Sequence, residues 1–307
     1  MFKSFLESQS NTNLVGILCV LIATVGLSVK AIFIKLVYLA DPQIDAISIL
    51  TIRFFLALPF FLLLLIYVNK NAPAIKFQRT DIFTYFLLGV MGFYVSAILD
   101  FSALAYIPAG LERLILFLYP TFVVLISFFI RPKEVTRQII YALVISYIGV
   151  VIVFIDQAPH MTPTLIKGSL LVFGAAITFA VYTVASVRPI KAHGSIRFTA
   201  YAMFAASGAT LAHSFGVHGI SVFDRSFEVY MYVLPMAIIS TVLPLILMAE
   251  GVKRIGASSS SIIATTGPII TISLAYIILG EAFGLVQGIG GAMIIAGVFF
   301  VARKKPA

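Results

Sequence analysis

Seven ionisable residues lie inside long apolar stretches, where a charge is costly unless it is paired or reached by water. At the centre of a membrane helix each such charge costs roughly 2.5–3.5 kcal/mol. Acids and bases both occur, so together they could form ion pairs, bind a charged small molecule or carry protons. The seven are Lys30, Lys35, Arg53, Asp100, Glu112, Arg113 and Glu250.

The acids and bases in the first half of the chain do not balance. Lys30, Arg53 and Arg113 outnumber Asp100 and Glu112 by one charge, which full pairing would leave for an anionic group such as a substrate carboxylate. In a low-dielectric cavity such pairs attract strongly enough to act as a gate. A purely structural role is equally open, in which the acids only neutralise the bases so that the helices can insert.

Three carboxyls are candidates for proton coupling. Burial of Asp100, Glu112 or Glu250 favours the protonated form and a nearby cation favours the ionised form, so filling and emptying a site can switch protonation. Lys35 lies near the end of its apolar stretch, where a long side chain can reach the interface.

Two prolines occupy mid-helix positions and predict breaks. Pro120 and Pro268 each remove a backbone donor, and freed carbonyls are tolerated at membrane depth only against protein or a cavity. These breaks point to a central site, although they could also be inherited packing kinks. Hydroxyls that could line such a site, as substrate-binding or gating residues, belong to Tyr94, Tyr119, Tyr182, Tyr201 and Thr265.

The elements that must hold these residues are membrane helices. The chain has 307 residues, is 61% hydrophobic and only 11% charged, whereas a soluble domain is about 45–50% apolar and about 25% charged. A membrane helix needs about 20 mostly apolar residues. We therefore predict an all-α integral membrane protein with ten transmembrane helices, at 14–38, 46–68, 82–105, 110–130, 138–155, 166–187, 196–216, 229–250, 257–279 and 285–302.

The basic residues indicate the orientation of these spans. The net charge is +9, and with both termini on one side, fifteen Lys and Arg fall in loops of that side against two, Lys167 and Arg225, opposite. Cytoplasmic loops carry such an excess, so both termini are predicted to be cytoplasmic. Bases spread over short loops do not form a nucleic-acid surface. The partners we expect are a small molecule, protons and the bilayer; a monomer and a homodimer both remain open.

Patterns typical of soluble enzymes do not occur. The sequence has no G-x-x-x-x-G-K-[ST], H-E-x-x-H, C-x-x-C or G-x-S-x-G, and its single Cys19 cannot form an internal disulfide. We therefore expect no enzyme activity, no cofactor and no metal site.

An internal repeat appears at an offset of 148 residues. Ile107 to Pro120 aligns with Ile255 to Pro268, and Gly149-Val150 aligns with Gly297-Val298. A duplicated unit of five helices enters the membrane the second time from the opposite side, which is the inverted-repeat plan of secondary transporters. The predicted divisions are a cytoplasmic segment 1–13, a first repeat 14–155, a second repeat 166–302 and a tail 303–307.

The repeat carries motifs that resemble the EamA type of the drug/metabolite transporter superfamily. They include Ala103 to Ala109 and Leu111 to Pro120 in the first half, and Lys253 to Ser258, Gly267-Pro268, Leu279-Gly280-Glu281 and Gly290 to Val298 in the second. The match departs after the fourth span, where Arg131 to Glu134 replaces Gly-Glu, and at Gly251-Val252, where Ala-Leu is usual.

The resemblance implies a secondary transporter in the bacterial inner membrane. It implies export of amino acids or related metabolites, coupled to protons or to exchange. An uptake carrier for a metabolite, vitamin or nucleotide-like compound is the nearest alternative, and a channel or a lipid flippase is the alternative of another class.

Overall fold

The computed structural model describes residues 2–71, 78–130, 137–157, 162–264 and 266–302, and every regular element in them is helical. The helices are α1 (Phe2–Ala40), α2 (Ala46–Asn71), α3 (Arg79–Gly89), α4 (Ser96–Leu104), α5 (Ala109–Leu116), α6 (Tyr119–Ile130), α7 (Arg137–Gln157), α8 (Pro163–His193), α9 (Ser195–His218), α10 (Phe227–Ala237), α11 (Leu243–Ala264), α12 (Gly267–Leu279) and α13 (Leu285–Ala302). Two π-helical segments, Val90–Val95 and Ile238–Val242, join α3 to α4 and α10 to α11, and a 3₁₀ segment, Gly219–Phe223, follows α9.

Five continuous helical stretches in the described part of the chain are long and apolar enough to cross a membrane. They are Leu14–Ala40, Ala46–Asn71, Arg79–Leu104, Pro163–Ile190 and Phe227–Met248. Two shorter apolar helices, Gly267–Leu279 and Leu285–Gly297, accompany them. The chain is therefore a multi-pass helical membrane protein.

The backbone repeats at the offset that the sequence predicts. Adding 148 to the start of α3, Arg79, gives the start of α10 at Phe227, and adding it to Val90 gives the second π segment at Ile238. The same shift carries the break after Leu116 onto the end of α11 at Ala264. Since π segments and breaks are rare local features, their recurrence in one register supports duplication of a whole unit.

The break in the first repeat lies where a proline was predicted to cause it. α5 ends at Leu116 and α6 begins at Tyr119, so Pro120 occupies the first turn of α6, where a missing N–H is tolerated. Pro268 occupies the corresponding first turn of α12. The predicted continuous spans 110–130 and 257–279 are thus each divided into two helices.

The predicted loop at 251–256 is wrong as a loop, because α11 runs through it. The chain nevertheless turns back there: Gly26 lies against Ile239 and Gly16 against Ile255, but Gly267 lies against Ser28. If α11 stayed straight from Ile255 to Ala264, its end would lie roughly 13 Å further from Ser28 than Ile255 does. The three residues from Ala264 to Gly267 span at most about 11 Å, which is too short to bring Gly267 back to Ser28. The chain therefore changes direction within α11, which runs from Leu243 to Ala264.

The first helix also starts earlier than predicted. α1 begins at Phe2 instead of residue 14, so the predicted segment 1–13 is mostly a helical extension. No Pro or Gly occurs between residues 2 and 13 to stop it.

The last helices of the two repeats, α7 and α13, pack with their backbones in contact. A Cβ atom at Gly149 would come within 2.5 Å of the Gly290 carbonyl oxygen, and one at Gly290 within 2.6 Å of the Gly149 carbonyl oxygen. Neither residue can therefore carry a side chain in this arrangement. Absence of both side chains lets the two helices approach closely, as is typical of membrane interiors.

Candidate functional site

Lys30 and Asp100 form the centre of the candidate site. Lys30 Nζ donates to Asp100 Oδ2 at 2.5 Å, and the two side chains are 16% and 4% exposed. α1 supplies the lysine, and α4 supplies the aspartate one turn before its end at Leu104. A buried pair of this kind persists because removing either partner leaves an uncompensated charge.

Glu112 lies beside this ion pair and is fully buried. Its carboxyl group is within hydrogen-bonding reach of the Asp100 carboxyl. Two ionised carboxylates cannot bond each other because neither has a donor. In the described part of the chain neither oxygen of Glu112 has a hydrogen-bond partner.

Arg53 approaches the pair from α2 without bonding a carboxylate. Its Nε donates to the hydroxyl of Thr241 at 2.7 Å, and its guanidinium lies 5.2 Å from the centre of the Phe101 ring. Phe101 also lies 5.9 Å from Lys30 Nζ, so one aromatic ring borders both cations. Such contacts stabilise a desolvated cation without neutralising it.

Arg113 connects the cluster to the break before α12. A Cβ atom at Gly267 would come within 2.9 Å of Arg113 Nη2, so a side chain there would displace the guanidinium. Ser28 Oγ donates to the Gly267 carbonyl at 3.1 Å, and Thr271 Oγ1 donates to the Ser28 carbonyl at 3.2 Å. These two hydrogen bonds join α1 to the start of α12.

A cavity of about 320 Å³ lies at the end of the bundle that carries Asp45, here called the Asp45 end. The first repeat lines it with Pro108, Gly110 and Leu111, and the second repeat with Ile272, Glu281 and their neighbours. The lining helix α5 also carries Glu112. The cavity therefore lies between the repeats, and its lining residue Leu111 precedes Glu112 of the cluster by one position.

Glu281 closes part of this cavity from the second repeat. Its Oε1 accepts from the Ala109 N–H at 2.9 Å and its Oε2 from the Gly110 N–H at 3.2 Å. Gly280, with φ of 66°, lets the chain leave α12 through a left-handed turn that directs Glu281 there. Lys35 lies within electrostatic range of both Glu281 and Glu112.

The structure brings some predicted site residues together and leaves others apart. Lys30, Arg53, Asp100, Glu112 and Arg113 converge on the cluster described above. Glu250 does not. Its carboxylate accepts from Arg254 Nε at 2.7 Å, and this half-exposed pair joins residues one turn apart on α11.

Of the four predicted tyrosines, Tyr119 lies within electrostatic range of Arg113, and the other three have their described partners elsewhere. Tyr94 bonds His213 Nδ1 at 2.5 Å, and the Tyr119 ring packs on Phe179 with centroids 5.2 Å apart. Tyr182 and Tyr201 belong to an aromatic group with Tyr85 and Phe198 between α3, α8 and α9. Thr265 lies outside the described residues.

Sequence reasoning missed Thr241 and the position of Glu281. Thr241 lies in the second π segment, and the partner of Glu281 is backbone, which has no sequence signature. The Gly-Glu motif was the available signal for Glu281. Among the described residues no three His, Cys, Asp or Glu side chains lie close enough to hold a metal ion.

The fold defines a multi-pass helical membrane protein. The sequence matches the EamA-like transporter family over residues 14–155 and again over 166–303. The chain belongs to the EamA-like transporter family, with one domain of that family in each repeat.

Similar proteins carry transporter names. The chain is 31% identical over 300 residues to the uncharacterized transporter YcbK of Bacillus subtilis (strain 168), covering 96% of this chain and 94% of that protein. It is 25% identical over 219 residues to an uncharacterized transporter of Archaeoglobus fulgidus, covering 71% and 76%. A crystal structure at 18% identity aligns with a TM-score of 0.64 over 95% of this chain and 96% of that one, which shows a shared fold.

Proposed function

We propose that this chain is a secondary active transporter that moves a small polar or amphipathic metabolite across the bacterial inner membrane by alternating access. In this function the chain would cross the membrane ten times as two inverted five-helix repeats, with both termini in the cytoplasm and the Asp45 end outside. The observation that carries it is the buried charged cluster around Glu112, next to a cavity that both repeats line.

The charge of the cluster supports an anionic group on the substrate. Lys30 is neutralised by Asp100, whereas Arg53 bonds a neutral hydroxyl and Arg113 Nε has no acceptor in the described structure. A buried cation without an anionic partner attracts a carboxylate or a similar group. Amino acids and related metabolites have such a group and are the substrates that the resemblance implies.

The repeats support the transport mechanism. Five helices are an odd number, so duplicated units insert with opposite orientation, and exchanging their conformations would convert an outward-open cavity into an inward-open one. The proposal takes export as the direction that the resemblance implies, with proton coupling or exchange. Uptake by the same fold is the alternative.

Comparing all metabolites between cells with and without the protein would identify the substrate. Hits would be tested for thermal stabilisation of the purified protein and then in proteoliposomes. We expect an anionic metabolite whose flux is saturable and accelerated by counterflow. Flux that neither saturates nor responds to counterflow would indicate a channel, and movement of lipid alone would indicate a flippase.

Arg53→Gln would test the role of the cluster in binding. We expect at least tenfold weaker substrate affinity, which is about 1.4 kcal/mol. Lys70→Gln is the matched control, because Lys70 is an exposed base on the same helix. Equal affinities of the two variants would contradict the binding role.

A further inference from the structure

Three buried oxygen atoms on two facing carboxyl groups have no hydrogen-bond donor in the described structure. They are Oδ1 of Asp100 and both carboxyl oxygens of Glu112. Asp100 is 3% exposed and Glu112 0%. Buried polar atoms without partners are uncommon in native proteins. Three of them on two adjacent carboxyl groups therefore indicate that a hydrogen-bond donor lies between the two groups.

The surrounding cations do not supply the missing donor. Lys30 donates to the other oxygen of Asp100, Oδ2. Arg53 Nε donates to the Thr241 hydroxyl, and Lys167 of α8 donates to the Tyr106 hydroxyl. α12, which also packs against α5, contains no charged residue. The charged groups that face Asp100 or Glu112 are Lys30 and Lys35 of α1, Arg53 of α2 and Arg113 of α5.

A single proton gives a partner to two of these three oxygens. Carried on one oxygen of Glu112, it would be donated to Asp100 Oδ1, so that each carboxyl gains a partner. It would also remove the cost of a second buried negative charge next to the first. Lys30 bonds Asp100 and not Glu112, so Asp100 stays ionised and Glu112 holds the proton.

We propose that Asp100 and Glu112 form a binding site for one proton, carried by Glu112 and shared with Asp100 Oδ1. This inference rests on the proposed function, since it makes this proton the one that the transporter couples. The site lies two residues from the cavity-lining Gly110, so a movement of α5 that opens the cavity would also bring Glu112 to water.

Infrared spectroscopy of the purified, folded protein tests the site directly. We expect the carbonyl stretch of a protonated carboxylic acid at pH 7, shifted in deuterium oxide and lost in Glu112→Gln. Glu250→Gln is the matched control, because the Glu250 carboxylate is 36% exposed and ion-paired with Arg254, and it should keep the band. Absence of the band from the wild type, or its survival in Glu112→Gln, would overturn the proposal.

Proton release on unfolding gives a second measurement. In water a glutamate has a pKa of about 4.3, so unfolding in weakly buffered detergent at pH 7 should release one more proton from the wild type than from Glu112→Gln. Equal release would count against the site. The wild-type infrared band with its deuterium shift keeps the test decisive if Glu112→Gln does not fold.

Failure of this inference and failure of the proposed function give different results. Saturable counterflow without a protonated carboxyl band would reject the proton site and keep the transporter. A band that disappears in Glu112→Gln, in a protein that transports no metabolite, would keep the proton site and reject the transporter.

Discussion

Glu281 holds Ala109 across the boundary between the two repeats: its Oε1 accepts from the Ala109 N–H at 2.9 Å, at the first turn of α5. The second carboxylate oxygen takes the next N–H, that of Gly110. The unsatisfied donors of a helix start are thus bonded by an anion, which the helix dipole also favours. This contact joins the loop after α12 to the helix that carries Glu112.

Replacing Glu281 with Ala should loosen this contact. Hydrogen bonds to a charged group contribute about 1.5–3 kcal/mol, so we expect a loss of that order in the free energy of unfolding. Glu281→Gln, which keeps one acceptor oxygen, should lose less. Thermal unfolding in detergent measures both. Glu228→Ala is the control, since Glu228 lies in the first turn of α10 but is exposed; an equal loss there would contradict the prediction.

Replacing Lys30 with Met should leave Asp100 buried without its partner. Breaking a buried ion pair from one side costs about 3–5 kcal/mol. We expect the double variant Lys30→Met, Asp100→Asn to recover most of this stability, because no unpaired charge remains. Unfolding measured for the two single variants and the double variant gives the interaction free energy. Additive losses would show that the pair is not coupled.

Gly89→Ala should be strongly destabilising, because the added Cβ would overlap the backbone of Ala202 on α9. Backbone atoms cannot move aside as a side chain can, so α3 and α9 must separate. Gly208→Ala on α9 is the control: nothing lies within 4 Å of its Cβ position, and the exchange should stabilise the helix by up to about 1 kcal/mol. Equal melting temperatures of the two variants would refute the close crossing.

Lowering the pH should weaken the Asp45 end through Asp45. Burial raises the pKa of Asp45, but hydrogen bonds from Ser48 and His218 outweigh it and bring the pKa below its usual value. The carboxylate therefore adds stability above about pH 4, the ordinary range of Asp, and this stability is lost as pH falls through the lower folded value.

We expect the melting temperature of the wild type to fall between about pH 5 and pH 3, and that of Asp45→Asn to fall less. Asp224→Asn, an exposed carboxyl at the same end, should follow the wild type. Superimposable profiles of wild type and Asp45→Asn would contradict the assignment.

Much of the fold was predictable because helix-breaking residues recur at the same positions in both repeats. Pro120 and Pro268 gave the offset of 148 residues, and the backbone breaks follow it. The helix through 251–256 was not predictable, because the polar residues there indicate the end of a span, whereas α11 continues through them.

The site was predictable where charge identified it. Lys30, Asp100 and Glu112 are costly in an apolar stretch and have to meet. Glu250, predicted as a further proton-coupling candidate, lies apart from them and pairs with Arg254, four residues on, as simple helical spacing indicates. Thr241 and the contact of Glu281 with Ala109 could not be predicted, because a hydroxyl partner and a backbone N–H leave no charge pattern in the sequence.

Gly149 and Gly290 face each other so closely that each excludes a side chain on the other. In most packed pairs an enlarged residue can be accommodated by a smaller one opposite. Here both residues are already the smallest available, so no compensating exchange exists at either position. The two halves have diverged in charge since their duplication, with Glu112 in one and Ser260 at the corresponding place in the other. At this crossing, each half still restricts the sequence changes that the other can accept.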